Sequence, residues 1–362
     1  MSSKVIISKS ALVHNLRAYR RAVGDTQIMA VVKSNAYGHG IDLVSSAIER
    51  ETDWFGVASG LEALSLRQTG IKKPILVLSF YDPFEIPDLI KRNVSLAVYD
   101  IKQARLISAA AKKLKKTARI HLKVDTGTSR LGILPADVAF FADKLLRLPN
   151  LKIEGVFSHF AASEENLEFT HKQNLGFNTV IEELEWRGIV PIKHIACTAA
   201  GIVSAAGRHD MVRLGIGLYG LWPSDFTRKK AKFAVRPVLS WQTQVIQVKA
   251  LPKGAFVGYD LTYQTRRATK LAVLPIGYFD GFDRRFSNNG QVLINGKRCK
   301  ILGRVCMNLT MVDVTDLKKV RAGDKVELIG AEISADELAK TIDTINYEVV
   351  ARINPLIPRI LK

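Results

Sequence analysis

AVVKSNAYGHG, residues 30–40, is an apolar run that stops on a lysine, Lys33, and continues in small and turn-forming residues. It reads as a strand ending at a turn. The same cadence recurs downstream. IMAVV, which leads into Lys33, is the first of a series of short apolar segments. The others are WFGVAS (54–59), PILVLS (74–79), SLAVYD (95–100), RIHLKVD (119–125), KIEGVFSHF (152–160), IKHIAC (192–197) and MVRLGIGLYG (211–220). Most are β-branched or apolar throughout, as in strands buried on both faces. Helical stretches such as DIKQARLISAAAKKL and ADVAFFADKLLRL separate them. A first helix precedes them, with Ser8 or Ser10 as cap and Leu12, Val13, Leu16 and Tyr19 at helical spacing. Eight βα units in about 220 residues predict an α/β fold, a (β/α)8 barrel of the TIM type. A doubly wound open sheet is the alternative.

The character changes near Arg236-Pro237. From there VLSWQTQVIQV, TKLAVLPIGY, QVLINGKRCKILG, LTMVDV and DKVELIG read as strands, with turns at Pro252–Gly254, Asn288–Gly290 and Asn295-Gly296. One helix, near SADELAKTI, interrupts them. The expected division is a barrel over 1–235 and a mostly β domain over 236–362, with the extreme N-terminus free to pack with the second domain.

The chain has 362 residues and is 47% hydrophobic, enough for a sizeable core. No apolar run reaches the roughly 18 residues that span a bilayer. The start, MSSKVIISKS, lacks the apolar stretch of a secretory signal. Cys197, Cys299 and Cys306 form neither a disulfide framework nor a metal motif, so the expectation is a cytoplasmic protein without membrane or metal partners. The net charge of +19 raises nucleic-acid binding. The densest basic runs, KKLKK (112–116) and RKKAK (228–232), carry no interleaved aromatics and no nucleic-acid motif. They read as a solvated surface that attracts anions.

A lysine at the C-terminal end of a barrel strand faces the active-site rim. Partial desolvation lowers its pKa and makes its amine a nucleophile, as a Schiff base with an aldehyde cofactor requires. AVVKSNAYGHG as a whole resembles the cofactor-lysine motif of the alanine racemases, barrel-fold pyridoxal 5'-phosphate enzymes. The resemblance extends over nearly the whole chain. It implies that Lys33 carries the cofactor and that Tyr37 binds its phosphate. In LKVDTGTSRLG (122–132) it implies that Arg130 reaches the substrate carboxylate and that Lys123 orients it, as a carbamate in many members. In GVFSHFAASEE it implies that His159 lies near the cofactor ring and that Glu164 belongs to the substrate corridor. In CTAAG and MVRLGIGLYG it implies that Thr198, with the backbone of Gly215 and Ile216, binds the phosphate, and that Arg213 donates to the ring nitrogen.

Racemisation needs a proton acceptor on each face of the α-carbon. Lys33 serves one face. The resemblance assigns the other to Tyr259 of FVGYDLTYQ, reaching from a partner subunit, and therefore implies a homodimer with shared sites. It implies further that Tyr278, Arg284 and Arg304 line the corridor and that Met307 lies near the substrate carboxylate. Two positions depart from the pattern: Asn308 replaces a usual aspartate, and Pro355 stands where a tyrosine usually binds phosphate and shapes the pocket. The expected function is interconversion of L- and D-alanine, the latter for peptidoglycan. A racemase of broader specificity, a barrel decarboxylase and a non-enzymatic cofactor-binding protein are the alternatives. Arg213 at the ring nitrogen and the absence of a glycine-rich phosphate loop argue against the decarboxylase.

Overall fold

Eight parallel strands form one sheet in the computed structural model, which describes residues 3–362. They span Gln27–Val31, Trp54–Ser59, Ile75–Phe80, Ser95–Val98, Ala118–Lys123, Leu151–Phe157, Ile192–His194 and Met211–Leu214. The first seven pair in sequence order, and the first also pairs with the eighth. The Arg213 N–H donates to the Ala196 carbonyl, and that of Asp210 to Lys193, so the seventh and eighth strands close the ring. Helices lie between the strands, giving a (β/α)8 barrel rather than the open-sheet alternative. Met29, Trp54, Leu76 and Met211 cluster in its core.

The strands follow their apolar runs but stop sooner than the runs do. MVRLGIGLYG is a strand only to Leu214; Gly215 breaks it, and Ile216–Tyr219 turn as a 3-10 helix. The sixth strand stops at Phe157, so His159 lies two residues past its end.

Contacts divide the chain into two units. One comprises Ala11–Ala36 and Val44–Arg236; the other comprises the N-terminal residues through Ser10, Tyr37–Leu43 and Pro237–Lys362. The second unit has a six-stranded sheet in which Lys4–Ile7 lies between Leu239–Gln244 and Arg359–Leu361. A three-stranded sheet of Gln247–Leu251, Thr269–Leu274 and Thr310–Asp313 packs around Val257, Leu271, Val273, Leu302 and Met311. Two expectations need correction here. VLSWQTQVIQV is not one strand: the N–H of Val245 bonds to Asp324 and that of Ile246 to Val273, so the run bends from one sheet into the other. A second helix, Asn346–Ala351, follows Ala335–Thr341.

Candidate active site

Lys33 ends the first barrel strand and opens a left-handed turn. Ser34, Asn35, Ala36 and Tyr37 all have φ between 53 and 55°. Each non-glycine residue held there costs roughly 1–2 kcal/mol, so four in succession must be imposed by their surroundings. Glu62 supplies part of that restraint. Its carboxylate accepts the Ser34 N–H at 2.5 Å and the Ala58 N–H at 2.8 Å. The Ala36 N–H closes back on the Val32 carbonyl. The Lys33 amine makes no hydrogen bond or ion pair with a described residue. Burial lowers its pKa, and the charges of Arg130 and Arg213 lower it further, against the pull of Glu62.

Arg213, on the eighth strand, is the hub of the site. Its Nη1 donates to the carbonyl and to Nδ1 of His194, both at 2.9 Å. Its Nη2 donates to the carbonyls of Ser158 (2.7 Å) and Ile195 (2.8 Å) and to His159 Nδ1 (2.9 Å). Every terminal guanidinium hydrogen is thus engaged, while Nε–H has no acceptor among the described residues. Burial brings the Arg213 pKa down to about 10, so the side chain stays cationic at neutral pH. A guanidinium only donates, so both histidines accept at Nδ1 and carry their proton on Nε2. Burial, then the charge of Arg213, holds His159 neutral, well below its usual pKa.

Arg130 sits on a loop wrapped around Asp125. The Asp125 carboxylate accepts the N–H groups of Gly127, Thr128, Ser129 and Arg130 at 2.8–3.2 Å. Burial alone would raise its pKa; these donors outweigh it and hold the group ionised. At Gly132 a Cβ would lie 2.5 Å from the Asp125 nitrogen, so the return strand requires glycine. Lys123, on the fifth strand, points its amine over the Phe157 ring at 4.6 Å. Burial, Arg213, Arg130 and Lys33 bring it down to about 7. Lys33, Lys123, Arg130 and Arg213 therefore form a cationic cluster, opposed only weakly by Asp125 and Glu62.

Beyond the seventh and eighth strands, Thr198 and Gly215 are in direct contact: the Gly215 N–H donates to Thr198 Oγ1 at 2.9 Å. That N–H is consequently not free for an anion, whereas the adjacent Ile216 N–H has no such partner among the described residues. Glu164 is engaged structurally. Its carboxylate accepts the hydroxyls of Ser224 and Thr227 at the start of helix Asp225–Lys230.

The other expected residues belong to the second unit. Tyr259 is 68% exposed, in a loop where Gly258, Asp260 and Leu261 all have positive φ. Asp260 faces both Arg284 (3.5 Å) and Arg304 (3.3 Å). The N–H groups of Tyr278 and Phe279 donate to the carbonyls of Cys306 and Met307. These bonds gather Tyr259, Tyr278, Arg284, Arg304 and Met307 into one region. Tyr37 lies in the same unit, its ring 6.1 Å from that of Tyr347. Pro355 is exposed beside Asn354, whose amide side chain bonds to the Phe279 carbonyl and the Leu356 N–H. Sequence reading missed Glu62, Asp125, Asp260 and His194. Each supports the candidate residues or the backbone beside them, and only the proximity in the chain of Asp125 to Arg130 and of Asp260 to Tyr259 offered a signal.

The chain matches two family models, "Alanine racemase, N-terminal domain" over residues 7–223 and "Alanine racemase, C-terminal domain" over 238–361. It is 40% identical to alanine racemase 1 of Caldanaerobacter subterraneus subsp. tengcongensis, over 99% of this chain and 94% of that one. A solved alanine racemase of Clostridium difficile 630 superimposes with a TM-score of 0.95 at 34% identity, covering 100% of this chain and 96% of that one. A crystal structure of the Bacillus anthracis enzyme with bound L-Ala-P gives 0.93 at 34%, covering 100% and 95%. Two family models in order, full-length identity and the same barrel with the same appended β unit lead to one conclusion: the chain belongs to the alanine racemase family of pyridoxal-phosphate-dependent isomerases.

Proposed function

We propose that the protein is an alanine racemase that holds pyridoxal 5'-phosphate covalently on Lys33 and works as a homodimer. The carrying observation is the Arg213 guanidinium, whose terminal hydrogens are all committed to protein acceptors while Nε–H has no acceptor among the described residues. A pyridine nitrogen is such an acceptor, and the cationic cluster fits a group bearing a phosphate and a phenolate. When bound, the cofactor supplies an electron sink that acidifies the α-proton of an amino acid attached to it.

The residues then divide the work. Arg213 donates to the ring nitrogen without giving up its proton, which keeps the sink modest and suits removal and return of one proton. The Lys33 amine, with its lowered pKa, is a base on one face of the α-carbon. Tyr259 of a second copy serves the opposite face, and its exposure suits a residue that acts outside its own chain. Arg130 offers a planar fork to the substrate carboxylate, positioned by the Asp125 loop. Thr198, Ile216 and Tyr37 receive the phosphate. In place of the expected Gly215 N–H, Thr198 Oγ1 and the Ile216 N–H carry the barrel's share. His159, held by Arg213, links this network to Tyr259.

Borohydride reduction of the purified, cofactor-loaded protein followed by peptide mapping should label Lys33. Incubation with L-alanine should yield D-alanine by chiral chromatography. Lys33→Ala should remove the label and lower racemisation by roughly 10²–10⁴-fold or more. A loaded protein that leaves alanine unchanged would be a cofactor-binding protein instead. Pro355 supports a second reading, a wider substrate range; serine turned over faster than alanine would favour it.

A further inference from the structure

Arg213 bonds to two imidazoles, His159 and the fully buried His194, and a third buried ring, His121, lies behind His194; the proposed function uses only His159. We propose that Glu154 is a positioning residue for Arg213, acting through a polar side-chain relay Arg213–His194–His121–Glu154 in the barrel interior. Arg213 Nη1 donates to His194 Nδ1. His194 Nε2 lies 2.9 Å from His121 Nδ1. His121 Nε2 faces Glu154 Oε2 at 3.4 Å, an electrostatic approach rather than an aligned hydrogen bond. The two histidines are fully buried and stand on the non-adjacent fifth and seventh strands, so their contact spans the lumen.

The barrel is built around this chain. The sixth strand bulges at Glu154: Ile120 pairs with Ile153, but His121 pairs with Gly155. The extra residue aims Glu154 at the histidine, the re-aiming that bulges perform near sites. At Gly155 a Cβ would lie 2.2 Å from His121 Nδ1, so glycine makes room for the ring. Ser95 donates to Glu154 Oε2 at 2.5 Å across the lumen, and Arg119 approaches Oε1 at 3.4 Å. Phe157 stacks on His194 at 5.0 Å and Trp54 meets His121 edge-on, fixing both ring planes.

The logic is one of polarity. A neutral imidazole has one donor and one acceptor nitrogen. A guanidinium only donates and a carboxylate only accepts. A chain of imidazoles between those two ends has one permitted set of proton positions, Nε2–H on both rings. That set presents a bare Nδ1 to Arg213. Without Glu154 the far N–H loses the negative charge it faces, and the preference for that set of proton positions weakens along the rings to Arg213.

The inference rests on Arg213 serving the cofactor ring, so the experiment separates the two. Nitrogen NMR of histidine-labelled, cofactor-loaded wild-type protein should show His121, His194 and His159 as neutral Nε2–H tautomers. An Nδ1–H tautomer or a charged ring at His121 or His194 overturns the relay, whatever the activity. Glu154→Leu should shift the His121 and His194 ring signals and lower kcat on the order of tenfold, with KM for alanine changed less than about twofold because Arg130 is untouched. Glu154→Gln, whose amide oxygen still accepts, should restore wild-type tautomers and most of kcat. Unchanged His194 signals in Glu154→Leu, or equal losses in the Gln and Leu variants, overturn the proposal. Should Glu154→Leu not fold, the wild-type tautomers and the Gln variant decide alone. Failure of the wild type to racemise would instead count against the proposed function.

Discussion

Lys123 carries the most perturbed amine of the cationic cluster. At a pKa of about 7 it is half neutral at pH 7, roughly a tenth neutral at pH 6 and nine-tenths at pH 8. Only the neutral amine adds carbon dioxide. The resulting anion would sit among Lys33, Arg130 and Arg213 and relieve their mutual repulsion. Incubation with isotope-labelled bicarbonate should therefore give a carbamate signal that grows from pH 6 to 8 and is absent in Lys123→Met; a signal strongest at pH 6 would contradict this. Pro355 offers a second residue-level forecast. Replacing it by tyrosine should narrow the pocket and raise the alanine-over-serine ratio of kcat/KM by about 10-fold, within the range that small volume differences provide. An unchanged ratio would place Pro355 outside the pocket. Lys33 and Arg213 were legible as candidates because the segments around them resemble alanine racemase motifs. His121 and Glu154 carried no such mark. A histidine in a strand and a glutamate before a glycine are ordinary until a bulge and three other strands bring them together.

Among elements, the turn after Lys33 is held against the preference of four successive residues. Ser34 is exposed at φ 55°, so its side chain contributes little while its backbone is strained. Ser34→Gly should leave stability equal or raise it by up to about 1 kcal/mol, and Ser34→Val should lower it by about 1–2 kcal/mol. Urea denaturation midpoints read both, and a Val variant as stable as wild type would show that the turn is relaxed. Gly155→Ala tests the bulge in the same way. Its methyl would collide with His121 and should lower stability by about 1–3 kcal/mol, which thermal unfolding would detect. Barrel strands were legible because burial on both faces leaves an unbroken apolar run. The hand of SNAY was not: of its residues only asparagine tolerates the left-handed region well, and part of the restraint comes from Glu62, far along the chain. VLSWQTQVIQV hid its bend because both halves keep a strand pattern, and Asn346–Ala351 is too short to show a helical period.

At the scale of the molecule, the proposed division of bases between copies has a direct consequence. Lys33→Ala and Tyr259→Phe homodimers should both be nearly inactive. Mixed and refolded together, they should regain activity toward about one quarter of wild type, since half the dimers are hybrids and each hybrid has one intact pair of bases. No recovery on mixing would mean that each chain serves itself. The exposed apolar side chains Leu261, Phe279, Met307 and Leu309 near Tyr259 are the surface such a dimer would cover. The interleaving of the units bears on how the chain is made. Strand Lys4–Ile7 emerges from the ribosome early, yet its two neighbours, Leu239–Gln244 and Arg359–Leu361, emerge long afterwards. The barrel segments can begin to fold during synthesis, but the six-stranded sheet must wait, with its N-terminal strand unpaired and open to chaperones or to a neighbouring nascent chain.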